Sequence, residues 1–311
     1  MAEYHESKEK WFAVETPFED DIKDYWGDWG VASEYGKLEA VLLRRPGAEI
    51  EDIGDPAQWR WKDQMDPEKA RAQHDEMAMI YREVAGAQVH YVEEMREDRP
   101  NALFMRDLVF MTPEGAIVGR PAIACRRGEE RYAAAALGKL GVPVLRTITG
   151  TAVFEGACAM WANRETVILG TGVRCNAEGA RQVREVLEPM GVEVIPYQIP
   201  YGHAHVDGLF NIADADLALM FPWQTPYDVW KPLVDRGFKI IEAPSVEEAT
   251  QGGAVNFVAL GPRKILMAAG NPLTRKALEA EGVEVYSIDI SEIQKGWGGL
   301  HCMTAFLKRA D

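Results

Sequence analysis

The sequence predicts an α/β fold in which one structural unit is repeated five times and the units close into a ring. The first observation is a recurring phrase: a stretch of helical character, a glycine, and a run rich in β-forming residues. These glycines, separated by 55, 50, 46 and 45 residues, are Gly86, Gly141, Gly191, Gly237 and Gly282. The second observation is that pairs of short apolar runs, split by turn residues, lie between the phrases. Because such a unit cannot bury its apolar face alone, the units should share one core.

Two of the predicted helices have recognisable ends. Residues 66–85 carry a proline near their start and apolar residues at helical spacing, and residues 176–190 begin at an asparagine, a good helix cap. Each repeated glycine follows a helical stretch. The residue after a helix often adopts the left-handed conformation, which costs glycine little. We therefore predict that each helix ends at its glycine and is followed at once by a strand.

The paired apolar runs predict β-hairpins, because residues that favour turns interrupt each pair. Four complete pairs lie at residues 108–111 with 116–119, 159–162 with 166–170, 209–212 with 217–221, and 256–260 with 265–269. The fifth pair is divided between the two ends of the chain, at residues 37–43 and 302–307. Pairing of these two runs would close the ring. We therefore predict a single α/β catalytic domain over residues 36–311, preceded by an N-terminal arm or lid over residues 1–35.

The composition disfavours several classes of function. The 311 residues include 34 Lys and Arg against 49 Asp and Glu, and the net charge of −15 disfavours nucleic acids and anionic membranes as partners. No run approaches the roughly 18 uncharged apolar residues of a membrane span, and the polar N-terminus does not resemble a signal peptide. The four cysteines form no CxxC pair, which argues against a disulfide scaffold and favours a reducing cytoplasm.

Polar residues that could support catalysis recur at one place in the unit, the link between the single strand and the next hairpin. In a ring of pseudo-equivalent units such links converge near the axis. One site would then collect a cysteine, a histidine and three carboxylates: Cys302, His205, Asp107, Glu155 and Asp207. Taken singly, each has an ordinary structural explanation, such as a buried thiol, a packed histidine, an ion pair of Asp107 with the adjacent Arg106, or a turn residue. Their recurrence at one place in the unit favours a catalytic site.

These segments resemble the guanidino-group-modifying enzymes: arginine deiminases, dimethylarginine dimethylaminohydrolases and amidinotransferases. GWGGLHCMT is similar to the arginine deiminase signature around the nucleophile, HVDGLFNIADADLAL to the His-x-Asp strand, and NALFMRD to the segment whose aspartate holds a guanidinium. FEGAC, GTGVRCN and GRPAIACRRGEE resemble further family segments, and the resemblance covers nearly the whole chain. It implies the fold of these enzymes, a pseudo-fivefold, five-bladed α/β propeller that is also called the pentein fold.

The resemblance implies a role for each candidate residue. Cys302 would be the nucleophile and His205 the acid and base, with Glu155 orienting the histidine. Two carboxylates can hold the N–H groups of a guanidinium in a bidentate manner, and Asp107 and Asp207 suit that task. Further substrate contacts are expected from three residues, with Arg126 as an alternative for the second: Arg174, Arg127 and Phe104. The family's Gly-Asp is replaced by Ala157-Cys158, so the far end of the substrate should differ from that of arginine.

The expected activity is hydrolysis of a C–N bond in a guanidino compound through a covalent thiouronium, releasing ammonia or an amine. The alternatives are an amidinotransferase, in which an amine replaces water as the acceptor, and a non-catalytic binding module on the same fold. No cofactor or metal is expected, because His203 and His205 lack further ligands at zinc-like spacing. The expected partner is a small cationic guanidino substrate, with homodimerisation left open. We expect iodoacetamide to alkylate Cys302 before the other cysteines.

Overall fold

The computed structural model describes residues 13 and 15–310. The strands within them are β1 Lys37–Leu43, β2 Gln88–Tyr91, β3 Val109–Thr112, β4 Gly115–Val118, β5 Val144–Thr147, β6 Ala159–Asn163, β7 Thr166–Thr171, β8 Glu193–Gln198, β9 Phe210–Asp214, β10 Leu217–Met220, β11 Lys239–Glu242, β12 Val258–Gly261, β13 Lys264–Ala268, β14 Glu284–Ile288 and β15 Ala305–Ala310. The α-helices are α1 Phe18–Tyr25, α2 Pro67–Ile80, α3 Glu129–Leu140, α4 Ala177–Leu187, α5 Tyr227–Asp235, α6 Val246–Thr250, α7 Pro272–Ala280 and α8 Leu300–Met303. Across these described residues, no helix has the length and apolar character needed to cross a bilayer.

The strands form five three-stranded sheets of the same topology. In each sheet the central strand pairs antiparallel with one neighbour and parallel with the other. Four sheets are built from consecutive strands, β3-β4-β5, β6-β7-β8, β9-β10-β11 and β12-β13-β14, and the fifth has the order β15-β1-β2. The strand near the C-terminus therefore takes, in the fifth sheet, the place that a preceding hairpin strand takes in the others. This is the pairing of the two chain ends that the sequence predicted.

The repeated glycines end the helical segments as predicted. Gly86, Gly141, Gly191, Gly237 and Gly282 have φ values of 72°, 77°, 78°, 86° and 79°. A strand begins within three residues of each. The helix predicted for residues 66–85 is α2 continued by a π-helical turn, Tyr81–Ala85, and the Asp66 side chain caps it by accepting from two backbone N–H groups. Asn176 likewise caps α4, because a side-chain oxygen can accept from N–H groups that have no partner within the helix.

The predicted hairpins all form, with bounds shifted by one or two residues. The larger difference lies in the run predicted as a strand over residues 302–307. Cys302 and Met303 belong to the short helix α8, and β15 begins only at Ala305. The cause is Asn256, whose Oδ1 accepts from the backbone N–H groups of His301 and Cys302 and so supports a helical turn there. The nucleophile predicted from the sequence consequently lies on a turn in front of the strand.

Burial is graded across each sheet. The first two strands of the consecutive sheets are buried along almost their whole length, whereas the third strands β5, β8, β11 and β14 are partly exposed. The sheets contact one another through their buried strands, among them β15 with β3 and β1 with β12. We call the strand of each sheet that pairs antiparallel with the central strand its inner strand; these are β3, β6, β9, β12 and β15. The links that precede these inner strands therefore end in the protein interior, which positions the candidate site.

The segment before β1 is joined to the sheets. The predicted arm covers residues 1–35, of which 1–12 and 14 lie outside the described residues. Gly30 forms a β-bridge with Lys308, and the N–H of Val31 donates to the carbonyl of Thr112. Glu34, at the end of this segment, is 2% exposed. The predicted arm thus delivers a carboxylate into the interior.

Candidate functional site

Short helical turns place the candidate residues directly before the N-terminal ends of the inner strands. The 3₁₀ turns Met105–Asp107, Gly156–Cys158 and Val206–Gly208 precede β3, β6 and β9, and α8 precedes β15. The turn Met105–Asp107 contacts both Gly156–Cys158 and α8, and Gly156–Cys158 contacts Val206–Gly208, so the polar side chains of these links lie close together. The structure brings together all five residues that the sequence assigned to one site.

His205 is held between two carboxylates. Its Nε2 lies 2.7 Å from Glu155 Oε2 and 3.6 Å from Asp107 Oδ1. Burial alone would lower the pKa of His205, but the charge of Asp107 and the hydrogen bond to Glu155 outweigh burial and raise it. Arg174 Nη1 contacts both oxygens of Glu155 at 3.1 and 3.2 Å. Although burial would raise the pKa of Glu155, His205 and Arg174 hold it well below its usual range. Both shifts favour the charged pair, an imidazolium facing a carboxylate.

The two carboxylate oxygens of Asp107 differ in their hydrogen bonding. Its Oδ2 forms an ion pair with Arg126, which also binds Glu129 at 2.8 Å. Burial raises the pKa of Glu129 to about 7. Asp107 Oδ1 is buried and accepts no hydrogen bond from any described residue. A buried carboxylate oxygen without a donor is costly, and such an oxygen in a site suggests that a ligand supplies the donor.

Cys302 lies between Asp207 and Asn256. Its Sγ is 3.5 Å from Asp207 Oδ2 and 3.2 Å from Asn256 Nδ2, which donates to the sulfur. The neighbouring Gly299 is required for this arrangement, since a Cβ there would come within 2.5 Å of Asn256 Oδ1. The clamp formed by Asn256 therefore fixes both the backbone and the thiol of the candidate nucleophile.

The thiol of Cys302 is neutral in the free protein. Burial, followed by the nearby charges of Asp207 and Asp107, raises its pKa well above 9.0, and the hydrogen bond from Asn256 only partly opposes this rise. A thiol is a poor nucleophile, whereas a thiolate is a good one. A reaction at the predicted nucleophile Cys302 would therefore need an additional positive charge near the sulfur.

Sequence reasoning missed a buried chain of charges behind Asp207. His301 contacts Asp207 and Glu34, and Glu34 contacts Arg106. The sequence offered an ion pair between Arg106 and Asp107 as an explanation of the latter, but the structure pairs Arg106 with Glu34 instead. The available signal was the position of His301 directly before the cysteine. Nothing local in the sequence points to Glu34, which lies 267 positions away from His301.

The remaining predicted substrate ligands have contacts of their own within the protein. Arg174 is engaged by Glu155, as described above. Arg127 donates its Nε to the carbonyl of Pro121, and its own carbonyl accepts from Arg99. Phe104 is 4% exposed, and its ring packs so closely on Gly298 that a Cβ there would collide with it. The substrate-binding roles of Arg174, Arg127 and Phe104 stay predictions.

Among residues 13 and 15–310, one group of side chains could hold a metal ion. Ligand atoms of Asp107, Glu155 and His205 lie within 4.8 Å of one another. Both carboxylates, however, already form ion pairs with arginine side chains, Arg126 and Arg174. A divalent ion would have to share these oxygens with two guanidinium groups, which electrostatic repulsion disfavours. That no metal takes part stays a prediction.

Comparison with known proteins identifies the family. A family model described as N,N dimethylarginine dimethylhydrolase, eukaryotic, matches residues 50–309. The chain belongs to this family. A curated relative, the N(G),N(G)-dimethylarginine dimethylaminohydrolase of Pseudomonas aeruginosa, is 29% identical over 205 residues, which are 66% of this chain and 76% of the relative. The uncharacterized protein YkgA of Bacillus subtilis is 26% identical over 285 residues, covering 90% of this chain and 95% of the relative. Membership of the guanidino-group-modifying superfamily is confirmed.

Solved structures of the superfamily share the fold. A cysteine-to-serine mutant of the dimethylarginine dimethylaminohydrolase of Pseudomonas aeruginosa, in complex with citrulline, matches with a TM-score of 0.74 at 25% identity, covering 87% of this chain and 99% of that one. SxtG, an amidinotransferase from Microseira wollei, matches with a TM-score of 0.73 at 14% identity, over 91% and 98% of the two chains. The second likeness shows the fold alone. Both confirm the predicted α/β class.

Proposed function

We propose that this dimethylarginine dimethylaminohydrolase family member is a cysteine-dependent hydrolase of a guanidino compound, with Cys302 as the covalent nucleophile. The observation that carries the proposal is the unpaired oxygen of Asp107. That oxygen lies 3.6 Å from His205 Nε2, and Asp107 adds to the charge that raises the pKa of the Cys302 thiol. A guanidinium bound there would satisfy the carboxylate and supply the missing positive charge.

Asp107 and Asp207 are the proposed substrate carboxylates. Among the described residues, the side-chain hydrogen bonds of Asp207 all fall on Oδ2, which leaves Oδ1 for a substrate N–H. The corresponding free atom of Asp107 is Oδ1. One acceptor on each carboxylate matches the two edges of a planar guanidinium, whose N–H groups point in fixed directions. Their hold would place the guanidinium carbon in front of Cys302.

The first half of the reaction forms the covalent intermediate. Binding of the substrate cation lowers the pKa of Cys302, and the thiol proton leaves to solvent. The thiolate attacks the guanidinium carbon, and the C=N electron pair moves onto nitrogen to give a tetrahedral adduct. His205 gives its proton to the departing nitrogen, the C–N bond breaks with its electrons on that nitrogen, and a thiouronium on Cys302 remains.

The second half releases the product. His205, now neutral, takes a proton from water, and the resulting hydroxide adds to the thiouronium carbon. Collapse of this adduct breaks the C–S bond with its electron pair on sulfur, while the hydroxyl proton leaves to solvent as the C=O bond forms, and a ureido compound is released. The thiolate takes back a proton from solvent when the product has left. Glu155 keeps His205 oriented and stabilises its charged form in both halves.

We also propose how the sheets are arranged and where in the cell the protein acts. We place the five sheets as blades of one α/β propeller over residues 36–311, supported by their common topology and by the contacts of β15 with β3 and of β1 with β12. Residues 1–35 are proposed as an arm that contributes to the site. The four cysteines are free, which agrees with the cytoplasmic location predicted from the sequence. A homodimer stays open.

The test is a panel of guanidino compounds assayed for ammonia or amine and for the carbon-containing product. A ureido product supports the hydrolase, whereas a new guanidino product that forms only with an added amine supports the amidinotransferase. Cys302→Ser should reduce turnover by several orders of magnitude and trap no adduct in intact-mass spectra. Turnover that survives in Cys302→Ser would refute the proposed nucleophile, and binding without turnover would favour a non-catalytic module.

Substrate choice follows from the two free carboxylate oxygens. An N,N-dimethylated nitrogen offers no N–H, so one acceptor of Asp107 or Asp207 would stay unpaired at a cost of roughly 1–3 kcal/mol. We expect an unmethylated terminal guanidine to be preferred over its dimethylated form by roughly ten- to a hundredfold in kcat/KM. Preference for asymmetric dimethylarginine over every unmethylated guanidine tested would contradict this expectation.

A further inference from the structure

His301 has a carboxylate at each of its ring nitrogens. Nδ1 lies 3.0 Å from Asp207 Oδ2 and Nε2 lies 3.2 Å from Glu34 Oε2. The ring is 1% exposed and packs edge-on against Phe306, with the ring centroids 5.3 Å apart. Because ionised carboxylates only accept hydrogen bonds, both nitrogens must carry a proton. A neutral imidazole would set one lone pair against a carboxylate oxygen.

Both carboxylates are ionised. Burial would raise the pKa of Glu34, but Arg106 and His301 lower it to about 2. Burial would likewise raise the pKa of Asp207, and His301 lowers it to about 2. A proton shared from either carboxylate therefore does not explain the geometry, and His301 is an imidazolium.

Glu34 is itself fixed. Arg106 Nη2 donates to Glu34 Oε1 at 2.9 Å and to the carbonyl of Ala159 at 2.9 Å. Arg106 also lies over the ring of Phe110, 5.3 Å from its centroid. The result is a buried row of alternating charges, Arg106, Glu34, His301 and Asp207, which ends 3.5 Å from the thiol of Cys302.

The row of charges reduces the repulsion between Asp207 and a thiolate at Cys302. Thiolate formation at Cys302 would set a second negative charge beside Asp207, and like charges at this separation repel strongly in a buried site. A permanent positive charge on the other side of Asp207 opposes that repulsion. Removing it would raise the pKa of the thiol further and would free Asp207 to turn.

We infer that His301 is a positioning residue, permanently charged, which with Glu34 holds Asp207 in place and allows Asp207 and the Cys302 thiolate to coexist. This assignment rests on the proposed function for its catalytic consequence. For the charge of His301 it rests on the two hydrogen-bond contacts of the ring and on the ionised state of Glu34 and Asp207. Glu34 gives the segment before β1 a part in the site, because that segment supplies the counterion of a residue beside the nucleophile.

The charge of His301 can be measured without any substrate. In ¹⁵N-histidine NMR spectra of the whole chain, with the signal assigned by its loss in His301→Gln, both ring nitrogens should be protonated at pH 7, and the ring should titrate above its ordinary value of 6.5. The charged and titratable groups that face the ring or its partners include Asp207, Glu34, Arg106, Arg309, His205 and Cys302. A neutral tautomer at pH 7, or titration near the ordinary value of 6.5, would overturn the inference.

The positioning role is tested by the pH dependence of Cys302 reactivity. His301→Gln should move the limb of kcat/KM that reports thiolate formation upward by about one pH unit, a tenfold loss at neutral pH. Glu34→Gln should move it in the same direction by less. Glu49→Gln is the matched control, because Glu49 is also a buried carboxylate paired with an arginine, Arg44, at 2.8 Å. Its variant should lower the melting temperature and leave the pH profile in place.

The outcomes separate a structural role from a positioning role. If His301→Gln folds and its pH profile coincides with that of the parent, the positioning role is refuted. If it does not fold, Glu34→Gln and the NMR spectra of the parent decide. If the parent converts no guanidine, the proposed function fails, and alkylation of Cys302 by an amidinium reagent over the same pH range still tests the inference.

Discussion

Alkylation of the cysteines should depend on the charge of the reagent. Sequence reasoning expects iodoacetamide to modify Cys302 first, but the structure changes that expectation. Cys302 is 8% exposed and its pKa is raised by burial, whereas Cys125 is partly exposed. A neutral reagent gains nothing from the carboxylates of the site, so iodoacetamide should modify Cys125 at least as fast as Cys302. A cationic reagent such as 2-chloroacetamidine should instead select Cys302.

The magnitude follows from the ionisation of the thiol. With a pKa above 9.0, less than about 1% of Cys302 is thiolate at pH 7. A unit positive charge about 4 Å from the sulfur stabilises the thiolate by about 4 kcal/mol at the effective dielectric of a protein site, or about three pKa units. The real gain is smaller, because Asp107 and Asp207 share the cation. We expect the Cys302 to Cys125 labelling ratio to be about a hundredfold higher with the cationic reagent.

The assay is peptide mapping by mass spectrometry after timed exposure of the native protein at pH 7. Asp107→Asn is the control variant, because it keeps the shape of the side chain and removes its charge. It should reduce the advantage of 2-chloroacetamidine, whereas iodoacetamide labelling of Cys302 should not slow, because the variant removes a charge that raises the pKa of the thiol. Equal Cys302 to Cys125 ratios with the two reagents would refute the account of a neutral thiol activated by a bound cation.

Three further variants test separate contacts. Glu155→Gln should lower the pKa of His205 and reduce kcat about a hundredfold or more, with the matching limb of the pH–rate profile displaced to lower pH. Asn256→Ala removes the N–H that donates to Cys302, and we expect about a tenfold loss in kcat/KM with substrate affinity retained, separable in steady-state kinetics. His74, buried and without a hydrogen-bond partner among the described residues, has its pKa lowered by burial to about 4. Since the unfolded chain binds that proton near pH 6.5, His74 should cost about 3 kcal/mol of stability as pH falls from 6.5 to 4, and urea unfolding of His74→Leu should lack this loss.

Local signals in the sequence predicted the repeat well. A glycine after a helix is a local requirement, since the left-handed conformation at Gly141 or Gly237 depends on the chain immediately around it. Turn residues between apolar runs are equally local, so the hairpins were predicted to within one or two residues. The pairing of β1 with β15 could be inferred because, beside four complete hairpins, one unpaired apolar run was left near each end of the chain.

The long-range partners of charged residues could not be predicted in the same way. Arg106 stands next to Asp107 in sequence, yet it pairs with Glu34, 72 positions away. The tertiary structure determines this pairing, because it buries both side chains together. The residues next to Arg106 in the sequence do not indicate it. The same holds for Cys302 and Met303, which were predicted as strand and belong to α8: this helical turn is supported by Asn256, 45 positions before His301.

In the proposed mechanism, the pairing of charges allows a buried, acidic site to keep its thiol neutral and still react. Glu155 and Asp207 each face a fixed cation, so these carboxylates are stable as anions without substrate, whereas the thiol stays uncharged. The missing charge is the one that the substrate brings. A neutral molecule of similar shape would fill the space and leave Cys302 protonated, so it would bind without reacting. Selection for a cation therefore operates on the ionisation of the nucleophile as well as on the contacts with Asp107 and Asp207.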